Sequence, residues 1–222
     1  MHNWRWEGKE LGVTRNSYRV GDELVGLQLR QIESVRDDPM RLSAALWILA
    51  TIYHDKGDRE QAYATLRQMD DVLFSMQDSG ALWLYCAEGL LHDWNDRETA
   101  AIYLDRASQA QSGKRTGRRR DTYSIRCLQL EIAASEDPRS PDVAMLLDDV
   151  WRRANRFPVY RDSLIGALRI LAPHGIGGSR AARLLHLAWR DVVYKARFGG
   201  IDRTPDEIER LMELFPEPDE YN

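Results

Sequence analysis

Residues 43–74 read SAALWILATIYHDKGDREQAYATLRQMDDVLF, and this stretch decides the fold. Leu42, just before it, and then Leu46, Leu49, Ala50 and Tyr53 recur at steps of three and four residues. That period places them on one face of a helix. Gly57 marks the helix end, where a left-handed cap position favours a residue without Cβ. Asp58 is suited to cap the next helix, with Gln61 three residues on as the second half of a capping box. Beyond it, Ala62, Leu66, Met69, Leu73 and Phe74 make a second apolar stripe. Ala50 and Ala62 are small enough to let two helices cross closely. Neither helix buries its stripe alone, so the pair requires a neighbour on each side.

The same layout returns along the chain. A second pair is predicted over 80–110, with Leu84, Ala87 and Leu91 followed by Ala100, Leu104 and Ala107, and with Asn95 and Glu98 as its capping box. Tyr53 to Ala62 is nine residues, as is Leu91 to Ala100. Glu88 stands where a small residue is wanted, so it either breaks the pattern or is paired in a groove. A third pair over 122–156 carries Ile125, Leu128 and Ile132, a break at Pro138 and Pro141, then Val143, Leu146, Leu147, Val150 and Trp151. Ser140-Pro141-Asp142 reads as cap, first-turn proline and acidic first turn. A fourth pair over 159–197 carries Ile165, Leu168 and Ala172, then Ala181, Leu185 and Ala188 across a turn at 173–179. Ala62 to Ala100 is 38 residues, and Ala100 to Ala181 is 81, about twice that, which leaves room for one intervening pair.

On these residues the chain resembles the tetratricopeptide repeat, whose pattern is W-x2-L-G-x2-Y followed by A-x3-F. Here it reads Leu46-x2-Leu49-Ala50-x2-Tyr53, then Ala62-x3-Leu66. An aliphatic replaces the leading aromatic and Ala replaces Gly, with the size logic kept; the usual closing Pro is absent. The resemblance implies an all-α, right-handed α-solenoid of about four helix-turn-helix repeats. It implies that the first helix of each pair lines a concave groove, and that the protein is an interaction scaffold for a peptide or protein segment rather than an enzyme.

The positions off the buried stripe are then the groove candidates. In the first pair they are Trp47, Thr51, His54 and Asp55; in the second, Tyr85, Gly89, His92 and Asp93. An aromatic followed by His-Asp recurs at a 38-residue offset, a ladder suited to stack on and hydrogen-bond an extended partner. The alternative is that His-Asp merely ends each helix, where His suits the C-terminal dipole. The basic and Asn positions by which some tetratricopeptide domains hold a C-terminal carboxylate are not matched.

The flanks are simpler. Residues 1–19 form an arm without clear period, in which Trp4 and Trp6 are expected to pack on the first helices or to meet a partner. A helix is predicted over 22–35, with Leu24, Leu27, Ile32 and Val35 inward, stopped by Asp37-Asp38-Pro39. The repeat domain spans 20–198. After Gly199-Gly200, a helix opened by Thr204-Pro205-Asp206-Glu207 and carrying Ile208, Leu211, Met212 and Phe215 is expected to cap the array over 199–222.

Composition bounds the function. The 222 residues carry a net charge of −4, so no global basic field exists to hold nucleic acid. A local exception is QSGKRTGRRRD at 111–121, read as a polar connector whose Lys114, Arg115, Arg118, Arg119 and Arg120 suit an acidic partner or RNA. The enzyme alternative is Arg169-x4-His174, similar to the R-x4-6-H motif of all-helical HEPN ribonucleases, although Ile170 replaces the polar residue favoured there and Pro173 precedes the His. Gly175-Ile176-Gly177-Gly178-Ser179 lacks the preceding strand and following Lys of a phosphate loop, and reads as a turn with Ser179 as cap. A metal site from His54, Asp55, His92 and Asp93 does not match zinc spacing, so neither metal nor cofactor is expected. Cys86 and Cys127 read as buried thiols of a reducing compartment. No apolar run reaches the roughly 20 residues of a membrane span, and the N-terminus lacks an apolar signal core, which reads as cytoplasmic.

Overall fold

Four of the helix starts follow capping chemistry written in the chain, at Asp38, Asp58, Asp96 and Ser140. The structure is a computed structural model that describes residues 21–76, 79–112, 119–154, 162–178, 180–185 and 213. Among them every regular element is helical, an all-α fold. The chain clusters into two compact units, Met1–Gln77 and Asp78–Asn222, divided between the first and second predicted pairs.

The first unit contains α1 (Asp22–Ser34), α2 (Pro39–Asp55) and α3 (Arg59–Ser75). The Asp37-Asp38-Pro39 stop signal is also the next start. Asp38 Oδ1 accepts from the backbone N–H of Met40 and Arg41 at 3.1 and 3.2 Å, and Pro39 occupies the first helical turn, where no donor is needed. α2 lies between α1 and α3 and is buried on most sides, through Ala45, Leu46, Trp47, Leu49, Ala50 and Ile52. Gln28 of α1 is buried too, and its Nε2 donates to the Ala45 carbonyl at 2.9 Å. The predicted inward face of α1 needs one correction. Leu24, Ile32 and Val35 are half-buried, but Leu27 is 55% exposed. The inward line runs 24–28–32–35, and Leu27 sits one residue off it.

The turn between α2 and α3 is the one the sequence predicts. Gly57 takes φ +81°, its N–H bonds to the His54 carbonyl, and the Asp58 N–H reaches back to Tyr53. These two bonds make a Schellman motif. Asp58 Oδ1 then accepts from the Gln61 N–H at 3.1 Å and starts α3. Ala62, Leu66, Met69 and Leu73 are buried as predicted; Phe74 is not, at 64% exposed. Leu73 continues the stripe, and the next residue points about 100° away.

The second unit contains α4 (Gly80–His92), α5 (Arg97–Ser112), α6 (Arg119–Glu136), α7 (Pro141–Ala154) and α8 (Asp162–Leu171), then a 3-10 turn (Ala172–His174) and further helical residues at 180–185. α4 and α5 pack together through Trp83, Leu90, Ala100, Tyr103, Leu104 and Ala107. The α4 stripe centres on Trp83, Ala87 and Leu90, so Leu84 is only half-buried. Trp83 and Tyr103 meet edge to face at 4.9 Å, and the Arg106 guanidinium lies over both rings. The cap of α5 is also shifted by one residue from the prediction. Asn95 takes φ +53° to close the turn, and Asp96 is the cap, accepting from the Thr99 N–H at 3.1 Å. Asn tolerates the left-handed region, which frees Asp96 for capping.

α6 packs against α4, α5, α7 and α8, and its buried residues lie around much of its circumference, from Tyr123 to Ala134. Ser140 Oγ accepts from Val143 N–H at 3.3 Å, with Pro141 opening α7 as predicted. Val143, Leu146, Leu147 and Val150 of α7 and Ile165, Leu168 and Leu171 of α8 join one core with Ala181 and Leu185. Burying each such aliphatic side chain is worth roughly 1.5–3 kcal/mol. At the end of this region Gly175 takes φ +65°, and the Gly177 carbonyl accepts from Arg180 and Ala181 N–H, so the next helix starts at the glycines. The predicted cap Ser179 lies outside the described residues, as do the arm with Trp4 and Trp6, Ala188 and the capping helix apart from Glu213, which is helical.

Candidate functional site

The residues with the most distinctive chemistry lie in the second unit, where α4, α6 and α8 adjoin. α4 ends at His92 because the chain must turn into α5, and this places the imidazole beside α6. His92 Nε2 lies 2.9 Å from Glu131 Oε2. Glu131 sits inside the apolar run of α6, and its side chain is 13% exposed. The same carboxylate lies against Gly166 of α8, where an added Cβ would stand 2.5 Å from it. A residue without Cβ is what makes room for the charge between the helices. The hydrogen bond that His92 donates to the Glu131 carboxylate holds the imidazole above its ordinary range; burial opposes this, and the charges of Glu131, Glu88 and Asp93 add to it.

The predicted groove residues divide. Tyr85 is 47% exposed on α4, and Asp93 is exposed at its end. Tyr85 and His92 are seven residues apart and share a face of α4. Glu88, which stands where the predicted pattern wants a small residue, is half-buried and contributes to the field on His92. In the first unit Asp55 is exposed and His54 half-buried, with Nδ1 3.7 Å from Asp55 Oδ1. Thr51 Oγ1 donates to the Trp47 carbonyl at 3.1 Å. Trp47 requires a correction: it is 8% exposed and belongs to the interior, because α1 and α3 both pack on α2. Its offset counterpart Tyr85 is open, so the aromatic rung of the ladder is not equivalent in the two pairs.

The basic connector is shorter than predicted. α5 continues to Ser112, and Arg119 and Arg120 already belong to the first turn of α6. Lys114, Arg115 and Arg118 lie outside the described residues. Arg169 is exposed in the last turn of α8, and His174 is exposed in the 3-10 turn that Pro173 permits. Cys86 and Cys127 are both buried, and burial pushes the Cys127 thiol up, which disfavours its thiolate. Among the described residues, no three His, Cys, Asp or Glu side chains are placed to hold a metal ion, and no helix is long and apolar enough to cross a membrane.

Two members of this site escape a reading by stripes. Glu131 interrupts LQLEIAA, and Gly166 interrupts SLIGALRIL. A lone carboxylate in one apolar run and a lone glycine in another were the available signals. A scan of protein families, curated proteins and solved structures finds no match to this chain.

Proposed function

We propose that this protein is a non-enzymatic interaction scaffold, a right-handed α-solenoid of tetratricopeptide type that holds a peptide or protein segment on the face shared by the first helices of successive pairs. The observation that carries this reading is the α4–α6–α8 face of the second unit. Tyr85 offers an exposed aromatic two turns from His92, and Glu131 bridges from His92 to the bare backbone of Gly166. An exposed aromatic beside fixed polar groups is the usual anchor of such a surface. Because helices and the His92–Glu131 pair set its shape, little ordering is left for the moment of binding.

The test is affinity purification with the full chain and with Tyr85→Ala and Glu131→Gln. The reading expects a protein partner that the wild type captures and both variants lose, with helicity unchanged by circular dichroism. Equal capture by all three chains would remove this face from consideration.

A further inference from the structure

A second surface in the same unit carries charge of the opposite kind. α7 contains Asp148-Asp149-x2-Arg152-Arg153, a double i,i+4 arrangement. Asp148 pairs with Arg152 on its own helix and with Arg180, whose Nη1 donates to Asp148 Oδ1 at 2.6 Å. Asp149 accepts from Arg153 Nε at 3.0 Å and lies 3.4 Å from Arg126 Nε on α6. Arg183, one turn beyond Arg180, lies with its guanidinium carbon 5.3 Å from the centre of the Trp151 ring. These groups form one strip across α6, α7 and the helical residues 180–185. Among the described residues four guanidiniums share two carboxylates, with Arg183 beside them over Trp151, an excess of cations in a chain whose total charge is −4.

Each guanidinium carries five N–H donors in a fixed fork, and the two carboxylates have lone pairs for a minority of them. The side chains of Arg152 and Arg180 are 71% and 52% exposed, so their remaining donors face solvent. One carboxylate, Asp148, is shared by both, so an arriving anion competes with it for their donors.

We propose that this arginine strip is a docking surface for a carboxylate-rich segment of a partner protein. Charge complementarity argues for an anionic occupant, and two features favour a peptide over nucleic acid. Trp151 is half-buried, and the ring face beneath Arg183 is already taken up by that guanidinium instead of a base. The surplus is small and lies in an acidic chain, whereas a phosphate backbone is held by many neutralised charges at once. Short-range pairing with spaced carboxylates suits a strip of this size.

The experiment uses the full chain with a fluorescent polyglutamate peptide, and an oligouridylate of matched charge as the competing class, both read by anisotropy at physiological salt. The peptide is expected to bind, and Arg180→Glu with Arg183→Glu to weaken it at least about tenfold. Asp148→Asn is the discriminating variant: it raises the local charge and releases two guanidiniums, so binding strengthens. A purely structural network predicts instead that Asp148→Asn lowers thermal stability and leaves anisotropy unchanged, which overturns the proposal. Preferential binding of the oligouridylate, or no binding of either probe by the folded wild type, overturns it as well.

Discussion

The pairs α2–α3 and α4–α5 have the same layout 38 residues apart, yet they end their first helices in different chemical company. In the first pair, Gly57 closes the turn, Asp58 caps, and Ala62 is the first residue to bond back to the cap carbonyl. In the second, Asn95, Asp96 and Ala100 do the same work. Ala62 and Ala100 are each fully buried, as the crossing of two helices requires. The terminal histidines differ. His54 lies near its own neighbour Asp55, whereas His92 bonds to Glu131 of another helix. Local geometry repeats because it depends on a few adjacent residues; the partner of a terminal side chain depends on what is packed beside it.

The largest test of that equivalence is in the two cores. Leu66 and Leu104 are related by the 38-residue offset and are 3% and 2% exposed. Each truncated to Ala is expected to cost about 2–5 kcal/mol in urea denaturation. A loss below about 0.5 kcal/mol at either site, the level of an ordinary surface change, would end the equivalence.

The turns come next. Gly57→Ala places a Cβ in open space but at φ +81°, so only backbone strain of about 1–2 kcal/mol is expected. Asn95→Gly should change stability by no more than about 0.5 kcal/mol, since Asn already tolerates that conformation. Equal losses at both sites would mean that the two turns differ in more than their left-handed residue.

The smallest effects separate the histidines. His92 is held above its unfolded value, so its contribution is fully present below the unfolded pKa of about 6.5 and fades as pH rises through the folded value. His92→Gln should therefore lower the melting temperature most in mild acid and least in alkali, as a pH series of thermal melts would show. Gly166→Ala should barely alter stability, because the helix propensity gained, about 1 kcal/mol, offsets the displaced Glu131 side chain. Its signature is an NMR titration in which His92 moves back toward the ordinary imidazole range. An unmoved His92 would show that Gly166 does not seat the pair.

Helix positions, caps and most of the buried stripes could be read from residues alone: Asp58, Ser140-Pro141 and the alanines at 62, 100 and 181 are local or periodic signals. These depend on backbone hydrogen bonding within a turn or on the 3.6-residue period, both of which act along the sequence. The errors were one-residue shifts at stripe edges, as at Leu27 and Phe74, where adjacent apolar residues compete and only the neighbouring helix chooses between them. Trp47 went inside and Tyr85 outside for the same reason: burial belongs to the helices around a residue, not to its place in a repeat. The pairing of His92 with Glu131, its seat at Gly166, and the arginine strip across α6 and α7 join residues up to 74 positions apart. Such contacts arise from the packing of whole helices, and the tertiary structure alone decided them.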